Sequence, residues 1–107
     1  MTDYIVILIT APCEDDAAIM AREIVDAGLA GCVNIVNGVR SIYRWEGKTE
    51  DNAEVLMIVK TRRELFDTLM KRVKELHSYR VPEIIALPVL EGAGDYLEWL
   101  RDVTIHH

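Results

Sequence analysis

Residues 32–61 read CVNIVNGVRSIYRWEGKTEDNAEVLMIVKT. β-Branched and aromatic residues fill both ends of this stretch, and a polar segment containing glycine separates them. The pattern predicts two long strands, 32–45 and 53–61, with residues 46–52 as the turn. Strands in globular proteins usually run about 5–6 residues, and long edges must be charged, covered or paired with another chain. We therefore expect this hairpin to build an oligomer, with the function located where chains meet.

An asparagine-glycine pair, Asn37-Gly38, interrupts the first strand of this predicted hairpin. The strand pattern resumes directly after it, so the pair predicts a bulge or bend within one strand, and not a turn between two. Beyond the pair, alternate residues belong to one face of the strand: Val39, Ser41, Tyr43 and Trp45.

The remaining elements follow from hydrophobic periodicity. Within residues 3–11, the β-branched apolar run from Tyr4 to Thr10 predicts a central strand, and a helix follows from Glu14 towards Gly28. Thr61 and Glu64 resemble a capping box before a helix over residues 65–76. Residues 84–87 predict an edge strand that ends at Pro88, and a last helix over 95–103 is expected to turn four residues inward: Tyr96, Trp99, Leu100 and Val103. The order β-α-β-β-α-β plus a C-terminal helix predicts an α+β, ferredoxin-like fold with an antiparallel sheet.

This arrangement leaves one face of the predicted sheet without helices. The first and third strands are apolar on both sides, so the open face should be apolar as well. Either the extra helix or other subunits must cover it, which is a second and independent argument for an oligomer.

Length and charge restrict the class of protein. The 107 residues fit one domain spanning 1–107, and 12 basic against 18 acidic residues give a net charge of −6, which disfavours nucleic-acid binding. No apolar run is long enough to span a membrane, and the first residues lack the basic region of a signal peptide, so we expect a cytoplasmic protein. His106 and His107 enter none of the predicted sites.

Two residues are candidate metal ligands. His77 is the one internal histidine, and it is either a helix C-terminal residue that suits the helix dipole or a metal ligand or proton carrier. Cys32 is either a small buried hydrophobe or a soft thiolate ligand suited to copper. A single histidine does not make a tight site, so a metal ion would need further cysteines, carboxylates or another subunit.

Four further residues are candidates for a binding cleft. Trp45 and Tyr79 lie at predicted strand ends, where aromatic side chains often belong to interfaces. Lys60 ends an apolar strand, and Glu83 enters one, where its carboxylate needs a partner such as Lys60 or Arg80.

Several common catalytic motifs are missing from the sequence. It contains no GxGxxG, Walker, HExxH or GxSxG pattern, and Ser41 and Ser78 have no obvious catalytic partner. With one internal histidine, a conventional nucleophilic triad is not expected, so we expect a protein that is not an enzyme.

Several segments together resemble one family. The most specific are SIYRWEGK at 41–48 and VPEIIALP at 81–88, supported by GCVNI at 31–35, VKT at 59–61, LHSY at 76–79 and YLEWL at 96–100. In order and spacing they are similar to the CutA family, whose members are called divalent-cation tolerance proteins, over nearly the whole chain. The chain departs from the family pattern at Asn37 and Ser78, where proline is usual.

The resemblance implies a ferredoxin-like subunit in a tight homotrimer similar in architecture to PII signalling proteins. It implies a cytoplasmic role in the response to copper or other divalent metal ions, with His77 and Cys32 as the positions associated with metal. Two alternatives stay open. One is a PII-like sensor that binds a small anionic or organic ligand in the inter-subunit cleft near Trp45, Lys60, Tyr79 and Glu83. The other is a scaffold whose effect on metals is indirect.

Overall fold

The first strand, β1, lies inside the sheet with a partner on each side. The computed structural model describes residues 1–105, so His106 and His107 lie outside the described part. The chain forms strands β1 (Tyr4–Ala11), β2 (Cys32–Trp45), β3 (Lys48–Arg62) and β4 (Ile84–Pro88), helices α1 (Glu14–Asp26), α2 (Phe66–Leu76) and α3 (Gly94–Asp102), and a short 3-10 helix, Arg63–Leu65.

The four strands form one antiparallel sheet in the order β2-β3-β1-β4. The predicted α+β order, with β1 and β3 inside and β4 at the edge, is confirmed. Pro88 pairs with Ile5 at the end of this edge strand, where the missing N–H of proline is tolerated.

One face of the sheet and two helices form the hydrophobic core. Alternate residues of β1 and β3 point to this face, and the buried members are Ile5, Ile7, Ile9, Val55, Met57 and Val59. Helix α1 adds Met20 and Ile24, and α2 adds Leu69 and Val73. Burial of each aliphatic side chain stabilises the fold by about 1.5–3 kcal/mol relative to leaving it exposed. The packing of this layer therefore determines which face of β1 and β3 lies against the helices.

The hairpin is longer than the sequence predicts. Its turn contains two residues, Glu46 and Gly47, with φ of 48° and 80°, and β3 already begins at Lys48. Two successive positive φ angles characterise the type I′ turn, whose twist matches that of paired strands. The predicted seven-residue turn is therefore wrong, because its polar residues pair across the hairpin: Asp51 lies opposite Ile42, and Glu50 opposite Tyr43.

The predicted irregularity at Asn37-Gly38 is confirmed. The register of β2 against β3 shifts between Val36 and Val39, and Gly38 has a φ of 79°. The bulge bends the hairpin where it passes the end of β1, since Ala11 pairs with Val55. We call the part beyond this point, residues 39–54, the hairpin arm.

Two local predictions are wrong. Thr61 does not cap a helix: it is the last but one residue of β3, and its buried hydroxyl donates to the carbonyl of Leu29 at 2.6 Å. The side chain of Glu64 binds Arg62. Of the four residues expected to turn inward in the last helix, Leu100 is buried, while Tyr96 and Trp99 of α3 and Val103 just after it are exposed.

Helix α3 covers one end of the open face of the sheet. Leu100 packs closely on Gly31, so a side chain at position 31 would have to displace that of Leu100. Thr104 accepts a hydrogen bond from Arg62 at 2.9 Å. The far part of this face keeps exposed apolar side chains: Val36, Ile85 and Leu87. No helix within residues 1–105 is long and apolar enough to cross a membrane.

Candidate functional site

The hairpin arm and the loop after α2 enclose a cavity of about 700 Å³, which we call the arm pocket. The arm contributes residues 41–43 and Trp45 of β2 and the buried Glu54 of β3. The loop between α2 and β4 contributes residues 78–81 and Glu83. The lining residues are Thr10, Ser41, Ile42, Tyr43, Trp45, Glu54, Ser78, Tyr79, Arg80, Val81 and Glu83.

Tyr79 joins the two walls of this pocket. Its hydroxyl donates a hydrogen bond to Oε2 of Glu54 at 2.7 Å, and Glu54 is 7% exposed. Burial, followed by the hydrogen bond to Glu54 and its negative charge, raises the pKa of Tyr79 above its ordinary value. The phenol therefore stays protonated and remains a donor, because burial and a nearby carboxylate both disfavour the phenolate.

His77 lies behind Tyr79 and is 8% exposed. Its Nδ1 accepts the backbone N–H of Tyr79 at 3.0 Å, and its Nε2 lies 2.7 Å from the carbonyl oxygen of Thr10. A nitrogen that accepts carries no hydrogen, so the network assigns the proton to Nε2, which donates to Thr10. In this arrangement neither ring nitrogen offers a lone pair to a metal ion.

Arg80, in the loop after α2, contacts two residues at the tip of the hairpin arm. Its guanidinium carbon lies 5.5 Å from the centre of the Trp45 ring, and one of its nitrogens lies 3.6 Å from Glu46. Both groups of the ion pair are well exposed, so the pair itself adds little stability. The sequence suggests Arg80 as a partner for Glu83, but in the structure Arg80 pairs with Glu46.

Three of the four predicted cleft residues lie together. Trp45, Tyr79 and Glu83 line the arm pocket. Lys60 does not: it pairs with Cys32 across β2 and β3 and binds the side-chain oxygen of Asn34. Lys60 lies six positions after Glu54 along β3, which is about 20 Å of extended chain.

The two predicted metal ligands lie apart. Cys32 lies opposite Lys60, whose Nζ is 4.0 Å from its Sγ, and Lys60 in turn pairs with Val6. His77 binds Thr10, four residues further along β1. Within residues 1–105, no three side chains of His, Cys, Asp or Glu are grouped to hold a metal ion.

Sequence reasoning missed Glu54 and Tyr43 as pocket residues. Glu54 appears in the sequence as the polar start of an apolar strand, and its burial follows from the contact with Tyr79, which is 25 residues away. Tyr43 belongs to the predicted face with Ser41 and Trp45, so the alternation after the bulge was the available signal.

A second groove, of about 1030 Å³, lies at the other end of the sheet. It is lined by residues 1–5, 62–64, 66–67 and 86–88 together with Arg101. None of the predicted site residues belongs to it.

Comparisons with known proteins agree on one family. The family model described as "CutA1 divalent ion tolerance protein" matches residues 5–103. A Thermus thermophilus protein, "Divalent-cation tolerance protein CutA", is 52% identical over 99 residues, covering 92% of this chain and 96% of that protein. The crystal structure of CutA1 from Oryza sativa superposes with a TM-score of 0.94 at 46% identity, covering 97% of this chain and 95% of that one.

Other relatives are longer than this chain. "Protein CutA, chloroplastic" of Arabidopsis thaliana is 46% identical over 100 residues, which cover 94% of this chain but 55% of that protein. The chain thus spans nearly all of the bacterial relative and about half of the plant one.

Proposed function

Because this chain belongs to the CutA1 divalent ion tolerance protein family, we propose that it is a cytoplasmic homotrimer that contributes to tolerance of copper or other divalent cations. In this proposal it binds these ions weakly and takes part in the response to them. No catalytic step is part of the proposal.

The hairpin arm is the observation that carries the assembly part of this proposal. Residues 48–54 of β3, on the N-terminal side of Val55, pair with β2 and not with β1. A two-stranded ribbon is marginally stable by itself in water. The arm also exposes large apolar side chains, with Ile42 64% exposed and Tyr43 and Trp45 less so. A ribbon of this length and surface is stabilised when other subunits cover it, and the open face of the sheet gives a second surface for the same purpose.

The donor set argues for weak or shared metal binding. His77 would have to give up one of its two hydrogen bonds to coordinate a metal ion. Cys32 lies beside the ammonium group of Lys60, which repels a cation. One chain therefore does not present a preformed site that fits a divalent metal ion within residues 1–105, and tight binding would need donors from more than one subunit.

Calorimetric titration of copper into the assembled protein tests the metal part. We compare the wild type with His77→Gln and Cys32→Ser, and use Glu91→Gln as a control because Glu91 is exposed and lies outside the arm pocket. Loss of heat or a changed stoichiometry in either candidate variant assigns that residue to the metal site. Heats identical to wild type in both variants would remove His77 and Cys32 from it.

A PII-like trimeric sensor that binds a small ligand in the inter-subunit cleft is the second candidate function. It is favoured by the arm pocket, because about 700 Å³ with mixed apolar and polar lining is typical of small-molecule sites. A ligand that binds the folded state raises its thermal stability. A metabolite screen by thermal shift in which saturating ligands give no stabilisation would count against this candidate.

A further inference from the structure

The arm pocket combines aromatic rings with carboxylates. Three rings line it, those of Tyr43, Trp45 and Tyr79, together with the carboxylates of Glu54 and Glu83. The one cationic side chain in its described lining is Arg80, which Glu46 already pairs. The lining side chains therefore carry a net negative charge, which disfavours the binding of an anionic ligand and favours that of a cationic one.

Glu54 lacks a cationic partner among the described residues. It is nearly buried, and its Oε2 is bound by a neutral donor, the Tyr79 hydroxyl. The five ion pairs within residues 1–105 do not include it. Buried carboxylates in proteins are usually paired with a cation or a metal ion. A cationic group bound in the pocket would supply the partner that the chain does not.

Trp45 already carries a planar cation on its ring. The guanidinium of Arg80 lies 5.5 Å from the ring centre, within the distance at which a cation is attracted to an aromatic face. Arg80 belongs to the exposed loop, so it is not fixed there by packing of its own. The contact shows that this wall of the pocket accommodates a guanidinium group.

We propose that the arm pocket binds a small organic cation, whose ammonium or guanidinium group lies against the aromatic rings and near the carboxylates of Glu54 and Glu83. This inference rests on the second candidate function, a ligand-binding pocket, and names its ligand class. It differs from divalent metal binding, because aromatic faces attract organic cations without supplying the inner-shell donors that a metal ion needs.

Matched pairs of charged and neutral probes test the proposal. Methylguanidinium is compared with methylurea, and choline with its uncharged carbon analogue, in which a tert-butyl group replaces the trimethylammonium group. Each is titrated calorimetrically into the full chain with a chelator present to remove metal ions. The charged member of at least one pair should bind about tenfold or more tightly than the neutral one, and more weakly as salt is raised. Equal binding of both members in each pair, or binding of neither, would overturn the proposal.

Two variants locate the site. Glu83→Gln removes one carboxylate at an exposed position and should weaken cation binding several-fold. Arg80→Ala removes the cation that occupies the Trp45 ring and should tighten binding, since the probe no longer competes with it. Glu91→Gln serves as the control and should bind like wild type. Unchanged affinity in both Glu83→Gln and Arg80→Ala would place the cation elsewhere and contradict the assignment.

The outcomes separate this inference from the metal proposal. Cation binding in the presence of chelator, together with a silent copper titration, would contradict the metal proposal and support the pocket assignment. Heat released on copper titration, with no binding of the organic cations, would support the metal proposal and contradict the pocket assignment.

Discussion

The hydroxyl of Tyr79 donates a hydrogen bond to Oε2 of Glu54 at 2.7 Å. This contact joins the loop after α2 to β3 at the point where the hairpin arm leaves the sheet, since Val55, the next residue after Glu54, is the first β3 residue that pairs with β1. It thereby connects the two walls of the arm pocket.

Removal of this hydroxyl should destabilise the protein. In Tyr79→Phe the Glu54 carboxylate stays nearly buried without its donor, and the expected loss is about 1–3 kcal/mol in the free energy of unfolding by urea. Tyr43→Phe is the matched control, because it removes a hydroxyl that is bonded to Asn52 at 2.8 Å on an exposed face. A loss in the control as large as in Tyr79→Phe would mean that burial of Glu54 is not the cause.

Alkaline pH should weaken the fold through the same group. The pKa of Tyr79 is raised in the folded state above its ordinary value of 10.0, first by burial and then by Glu54. The stabilisation that follows is fully present below the ordinary value and is lost as pH rises from there towards the higher folded-state pKa, because the unfolded phenol releases its proton first.

Ultraviolet absorbance and unfolding at alkaline pH measure this effect. Tyr79, and to a smaller extent Tyr96, whose pKa burial also raises, should ionise later than the other tyrosines. Tyr79→Phe should lose the later step together with part of the alkaline decline in stability. A Tyr79→Phe variant whose alkaline profile matches that of wild type would show that another group governs it.

A side chain at Gly47 should destabilise the two-residue turn. Its φ of 80° lies in the left-handed region, which costs about 1–2 kcal/mol for a residue with a Cβ. Gly47→Ala should therefore lower the free energy of unfolding by about this amount. Gly94→Ala is the control, because open space surrounds Gly94 and its φ is not in that region. Equal effects in the two variants would refute the turn conformation as the reason.

Assembly should depend on the hairpin arm. Trp45→Ala removes a large exposed apolar side chain near the tip, and large aromatic side chains often dominate interfaces. We expect subunit dissociation to become at least about tenfold easier, measured as mass in solution over a dilution series. Ile19→Ala removes an exposed apolar side chain of α1, outside the hairpin, and should leave the mass unchanged. A trimer of Trp45→Ala that survives dilution and heating like wild type would exclude the arm as the clamp.

Local sequence signals predicted most of the elements, and their failures share a cause. The β-branched run at β1, the helical stripe before His77 and the bulge at Asn37-Gly38 are confirmed because a few neighbouring residues decide each of them. The sequence pattern predicts too long a turn at Glu46-Gly47. The polar residues that follow have a low strand propensity, but their partners across the hairpin hold them in β3. Thr61 was assigned to a helix cap for the same reason: its real partner, Leu29, is 32 residues away.

The sequence by itself determined the order of strands and helices, the long hairpin and the family, because these depend on patterns repeated along the chain. Only the tertiary structure decided which side chains meet. It places Trp45, Tyr79 and Glu83 around one pocket, adds Glu54, and leaves Lys60 beside Cys32 at the other end of β3. The physical reason is the register of β3: which of its residues lie beside β1 and which lie in the hairpin arm is fixed by core packing and by the bulge, and neither is visible from any single segment.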